Sequence, residues 1–85
     1  MDKYSIEIVT KAEKEFLKLP ETAKNRVREK ILLLENNPRP FGSKKLRETE
    51  YYRIRIGDFR VIYSIHDNNK IVKILSVAHR KDVYR

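Results

Sequence analysis

The hydrophobic period of this chain changes once, from helical spacing to alternation, and the change falls on Asn36-Asn37-Pro38-Arg39-Pro40. Proline lacks an amide donor and biases the residue before it away from helix, so this run is a stop signal between two kinds of structure. Before it, Tyr4-Ser5-Ile6-Glu7-Ile8-Val9 alternates as a half-buried strand does. Thr10 followed by Glu13 forms a capping-box pattern, and Ala12, Phe16 and Leu19 recur at helical spacing until Pro20 interrupts them. A second helix is expected from about Glu21 to Asn36, with Ala23, Val27, Ile31 and Leu34 on one face. Pro20 makes the two a helix hairpin.

After the stop, Gly42-Ser43-Lys44-Lys45 reads as a loop, and the period becomes two. Tyr52, Ile54 and Ile56 alternate with Tyr51, Arg53 and Arg55, and Gly57-Asp58 makes a tight connection to Phe59–Ile65. Asn68-Asn69, which tolerate positive φ, turn the chain into the β-prone Ile71–Val77. The order β-α-α-β-β-β gives an α+β fold: a helix hairpin packed on one face of a mostly antiparallel four-stranded sheet. The apolar helix stripes are core rather than cofactor surface.

Eighty-five residues fit one domain, spanning 1–85, with no linker or repeat. The chain has no cysteine, so neither a disulfide nor a thiolate metal site can contribute, and packing must supply the stability. No apolar run approaches the roughly 20 residues of a membrane span and no signal core opens the chain, so a cytoplasmic protein without membrane contact is expected. The net charge is +8, and it is uneven. Residues 1–40 hold nine basic and seven acidic side chains, whereas residues 41–85 hold eleven and five. Such an excess favours a polyanionic partner, nucleic acid or an acidic protein.

Alternation puts Arg53 and Arg55 on the face opposite Ile54 and Ile56, away from the helices. The next strand adds Arg60 beside the tight turn, and the last strand ends in His79-Arg80-Lys81-Asp82-Val83-Tyr84. Any one of these alone is an ordinary surface residue. Together, three arginines on adjoining strands, a His-Arg pair and a tyrosine suit a bent RNA backbone, if one concavity gathers them.

Two segments carry a family resemblance: Tyr52-Arg53-Ile54-Arg55-Ile56-Gly57-Asp58-Phe59-Arg60-Val61-Ile62-Tyr63, and the ending Val77-Ala78-His79-Arg80-Lys81-Asp82-Val83-Tyr84. In these, and over essentially its whole length, the chain resembles the RelE/ParE toxin family. RelE-like members cut messenger RNA in the ribosomal A site, while ParE-like members share the fold and act on DNA gyrase, so residues rather than fold decide between them. The basic pair, the third-strand arginine and the C-terminal arginine and tyrosine that surround the scissile phosphate in RelE-like toxins correspond here to Arg53, Arg55, Arg60, Arg80 and Tyr84. All five carry suitable chemistry, which favours the ribonuclease branch. A gyrase inhibitor acting by protein binding, or a non-catalytic nucleic-acid-binding module, is the alternative.

The resemblance implies attack of a ribose 2′-hydroxyl on the adjacent phosphate, with no metal or cofactor. Arginines would stabilise the charge developing on phosphate, and Arg55 and Arg80 are the expected clamp. Arginine is a poor general base, so His79 and Tyr84 are equal candidates for the proton transfer. This chain has Arg53 and Arg55 where a Lys-x-Lys pair is familiar, which excludes a lysine base there. A loop glutamate paired with a C-terminal histidine, used by some relatives, is also disfavoured, because the loop reads Lys44-Lys45 with Glu48 and Glu50 displaced. Lys44, Lys45, Arg47 and Lys81 are expected to contact RNA. The implied partners are the ribosome and its message, and a RelB-like antitoxin with an acidic, amphipathic segment; operator DNA would be reached only through that antitoxin.

Overall fold

The computed structural model describes residues 3–79. Its elements are β1 (Ser5–Ile8), α1 (Thr10–Leu17), α2 (Glu21–Leu33), β2 (Lys44–Lys45), β3 (Tyr51–Ile56), β4 (Phe59–His66) and β5 (Ile71–His79). They form one sheet in the order β1-β5-β4-β3-β2, antiparallel except where β1 runs parallel to β5. The α+β architecture is the expected one, with a fifth strand. Lys44–Lys45, read as loop, pairs with Arg53 and Tyr52 at the sheet edge. Two charged residues carry no hydrophobic alternation, so backbone pairing alone makes this strand.

The core lies between the helices and one sheet face. Ala12 of α1, Val27 and Ile31 of α2, and Leu34 just beyond it meet Ile54, Ile56, Val61, Tyr63, Val72, Ile74 and Val77 of the sheet. Tyr63 is wholly buried, stacks on Tyr52 with ring centroids 5.9 Å apart, and donates its hydroxyl to the Pro38 carbonyl at 2.8 Å. That bond satisfies a polar atom which would otherwise be stranded in the core.

Local chemistry differs from the expectation at three points. The capping box does not form: Val9 is the N-cap of α1, no side chain caps it, and its carbonyl accepts the Glu13 amide at 3.0 Å. Val9 also donates to Ile74, so β1 passes directly into α1 and Thr10 already lies inside the helix. α2 ends at Leu33, and tighter turns carry the chain through Asn37 towards Pro38. In the β4–β5 connection the left-handed residue is Lys70, with φ 56°, rather than either asparagine. Its position closes the turn at its last residue, and the Lys70 amide donates to the Asp67 carbonyl at 3.3 Å.

Candidate nucleic-acid interface

The two-residue turn Gly57-Asp58 sets the register of β3 against β4. Ile56 pairs with Phe59, so Arg55 lies directly opposite Arg60 and Arg53 opposite Ile62. Gly57 has φ 60°, the left-handed conformation that this tight turn requires and that a glycine adopts without strain. Directly opposed residues share a sheet face, with Cα atoms about 4.5–5.5 Å apart. Ile54 and Ile56 fill the core face, which leaves Arg53, Arg55 and Arg60 together on the other.

β2 and β5 extend this face. Lys44 pairs with Arg53, and Ala78 with Arg60. One row is therefore Lys44, Arg53, Ile62 and Ser76; the next, nearer the tight turn, is Arg55, Arg60 and Ala78. A third row, on the far side of Arg53, is Tyr51, Ser64 and Lys73. Arg55 is exposed and Arg53 half-buried, whereas Arg60 is only 5% exposed. Like charges directly opposite one another do not by themselves stabilise a sheet, and here they share one face with Lys44 and Lys73.

Other expected site residues lie elsewhere. His79 pairs with Phe59, whose ring it meets edge-on with centroids 5.2 Å apart, so it faces α1 rather than the arginines. The cause is a register shift between Ile62 and Tyr63, which leaves Leu75 without a partner and reverses the phase of everything after it. Lys45 lies on the face opposite Lys44 and has Glu50 at 3.8 Å. Arg47 is exposed in the loop between β2 and β3. Arg80, Lys81 and Tyr84 fall outside the described residues. The alternation read from the sequence already put Tyr51 in phase with Arg53 and Arg55, without naming it as a site residue, whereas Lys73 on this face was missed.

Two hydrogen-bonded groups brace the sheet around this face. The Glu15 carboxylate accepts the Val77 amide at 2.9 Å, beyond the point where β1 stops pairing with β5, and also binds Lys11 and Ser76. Burial pushes the Glu15 carboxyl up, but its Lys11, Val77 and Ser76 partners outweigh that and hold it below its ordinary value. At the opposite end, Asp67 accepts two bonds from Arg39, at 2.9 and 3.4 Å, and one from the Tyr4 hydroxyl at 2.6 Å. Arg39 also bonds the Tyr52 hydroxyl at 3.1 Å. Hydrogen bonds from Arg39 and Tyr4 lower the Asp67 carboxyl to about 2. Among the described residues no three His, Cys, Asp or Glu side chains group as metal ligands, and no helix is long and apolar enough to cross a membrane.

Residues 6–84 match the family model described as the ParE toxin of the type II toxin-antitoxin system parDE. A Methanocaldococcus jannaschii chain named for the toxin RelE1 is 33% identical over 87 residues, covering 98% of this chain and 97% of the relative. The archaeal RelE-RelB complex from Pyrococcus horikoshii superimposes with a TM-score of 0.83 at 36% identity, over 92% of this chain and 96% of the matched one. The toxin-antitoxin complex RelBE2 from Mycobacterium tuberculosis gives 0.82 at 31% identity, over 92% and 99%.

Proposed function

Since this chain belongs to the RelE/ParE family, as a RelE-like toxin of a type II toxin-antitoxin pair, we propose that it is an endoribonuclease cutting messenger RNA in the ribosomal A site. The observation that carries this reading is the row in which Arg55 directly opposes Arg60, with Arg53 on the same face. A pair of like charges held across two strands serves a ligand with dense negative charge, and a phosphate entering the reaction carries the most.

In this reading the ribose 2′-hydroxyl attacks its own 3′-phosphate, the 5′-oxygen of the next nucleotide leaves, and a 2′,3′-cyclic phosphate remains. The nucleophile is part of the substrate, so the reaction needs no metal-activated water. Arg53, Arg55 and Arg60 hold the phosphate oxygens as charge builds on them, with Arg80 completing the clamp. Tyr84 orients the 2′-hydroxyl or accepts its proton. His79 serves proton transfer only if the chain re-aims it, because its ring lies against Phe59 on the other face. Lys44, Arg47, Lys45 and Lys81 bind the flanking backbone.

The cognate partner is a RelB-like antitoxin. A partner segment that is acidic and amphipathic complements the +8 charge and the apolar groove where Ile8 and Leu32 are about half exposed. The chemistry is tested on ribosome-bound message carrying a single 2′-deoxy substitution at the scissile nucleotide. Cutting with cyclic-phosphate ends, lost on substitution, is the expected result; products with 5′-phosphate ends, or cutting that survives the substitution, would exclude 2′-hydroxyl attack.

A further inference from the structure

The arginine row accounts for phosphate, but nothing in it recognises a base. Tyr51 lies on the same face, two residues before Arg53 and four before Arg55. Its side chain is 45% exposed, and among the described residues it has no ring contact and no side-chain hydrogen bond. A lone exposed aromatic on a strand is common and by itself signifies little. Three local features separate this one from that background.

First, its row on the β4 side offers a small hydroxyl and a cation. Directly across β4 is Ser64, which shares a 3.0 Å hydrogen bond with His66, and beyond it in the row is Lys73. On its other side the β2–β3 register continues to the half-buried Leu46, whereas on the β4 side the ring has only a small hydroxyl across from it. Second, the backbone beneath it is fixed. The Tyr51 amide donates to Thr49 Oγ1 at 3.1 Å, and its carbonyl accepts the Leu46 amide at 2.8 Å. The turn leading in is tight enough to hold Glu48 at φ 59°. A ring mounted on a rigid strand end loses little freedom when it stacks. Third, the spacing fits a single strand. Two residues of β-strand advance about 6.8 Å, close to one nucleotide of extended backbone, so Tyr51 stands about one nucleotide from Arg53 and two from the Arg55–Arg60 row.

We propose that Tyr51 is a base-stacking residue of this toxin, seating a nucleobase beside the phosphate held by the arginines and so biasing where the message is cut. The proposal rests on the ribonuclease reading and adds a determinant of substrate position to it. A tyrosine face accepts any base, purines more strongly because they offer more area, so it tunes site preference rather than imposing a sequence.

The test uses the full chain, programmed ribosomes and 5′-labelled message, comparing wild type with Tyr51→Phe and Tyr51→Leu. Phenylalanine keeps the π-face and should reproduce the wild-type cleavage pattern. Leucine keeps apolar bulk without the face; it should raise KM roughly 5- to 100-fold, leave kcat within a few-fold, and redistribute cuts among positions, with an unchanged melting temperature. A leucine variant with wild-type KM and cleavage pattern overturns the proposal while leaving the ribonuclease reading intact. A wild type that cuts no message overturns the ribonuclease reading, and this proposal with it.

Discussion

In the proposed reaction, Arg55 is asked to serve both the sheet and the phosphate. It faces Arg60 directly across the sheet, and like charges directly opposite one another do not favour folding. In the proposed transition state it donates a charge-assisted bond to phosphate, and losing one such preorganised donor slows a reaction about 10²–10³-fold. Arg55→Ala should therefore be nearly inactive on ribosome-bound message while its urea midpoint stays level or rises. A variant that loses stability and activity together would make Arg55 a structural residue. Because Arg60 is almost wholly buried, Arg60→Ala mixes the two effects and is the poorer probe.

At the scale of elements, β1 stops pairing with β5 at Ile8–Ile74, and the Val77 amide beyond it would face the sheet edge with no strand to receive it. Glu15 of α1 takes that role, so one side chain both closes the edge and ties α1 down. Glu15→Ala should cost about 1–3 kcal/mol and speed hydrogen exchange at Val77 selectively; uniform protection in the variant would show that the bond does not support the edge. The β3–β4 hairpin and its faces were legible in the sequence because Tyr52, Ile54 and Ile56 alternate cleanly into a two-residue glycine turn, whereas the register that sets Arg55 opposite Arg60 comes from the structure. The end of β5 was not. Val72 and Ile74 face the core, and uninterrupted alternation would continue with Ser76 and Ala78; the extra Leu75 instead turns Val77 and His79 inward. An apolar residue that serves as a bulge looks like any other apolar residue in a strand. Lys44–Lys45 was missed for the converse reason, since its strand character comes wholly from its partner.

For the whole molecule, the Arg39–Asp67–Tyr4 group joins three distant parts of the chain: the N-terminal strand, the proline-rich stop and the β4–β5 turn. The Asp67 carboxyl is lowered from 3.8 to about 2, so its contribution is fully present above pH 3.8 and is lost as pH falls through 2. Glu15, also lowered, acts in the same direction. Stability should thus be insensitive to these groups near neutrality and fall in acid, and Asp67→Asn should flatten the fall between 3.8 and 2; an unaltered acid limb would show that the clasp contributes nothing. The net charge of +8, concentrated after residue 40, also gives the molecule a long-range pull towards RNA, which high salt weakens. Whether that attraction ends in cleavage is decided by mixing the purified chain with programmed ribosomes and 5′-labelled message and mapping cuts by primer extension, with free message and the Arg55→Ala/Arg80→Ala variant alongside. The account predicts cuts confined to the A site, few or none in free message, and none with the double variant. Intact message from a chain that still arrests growth would contradict it and direct attention to gyrase.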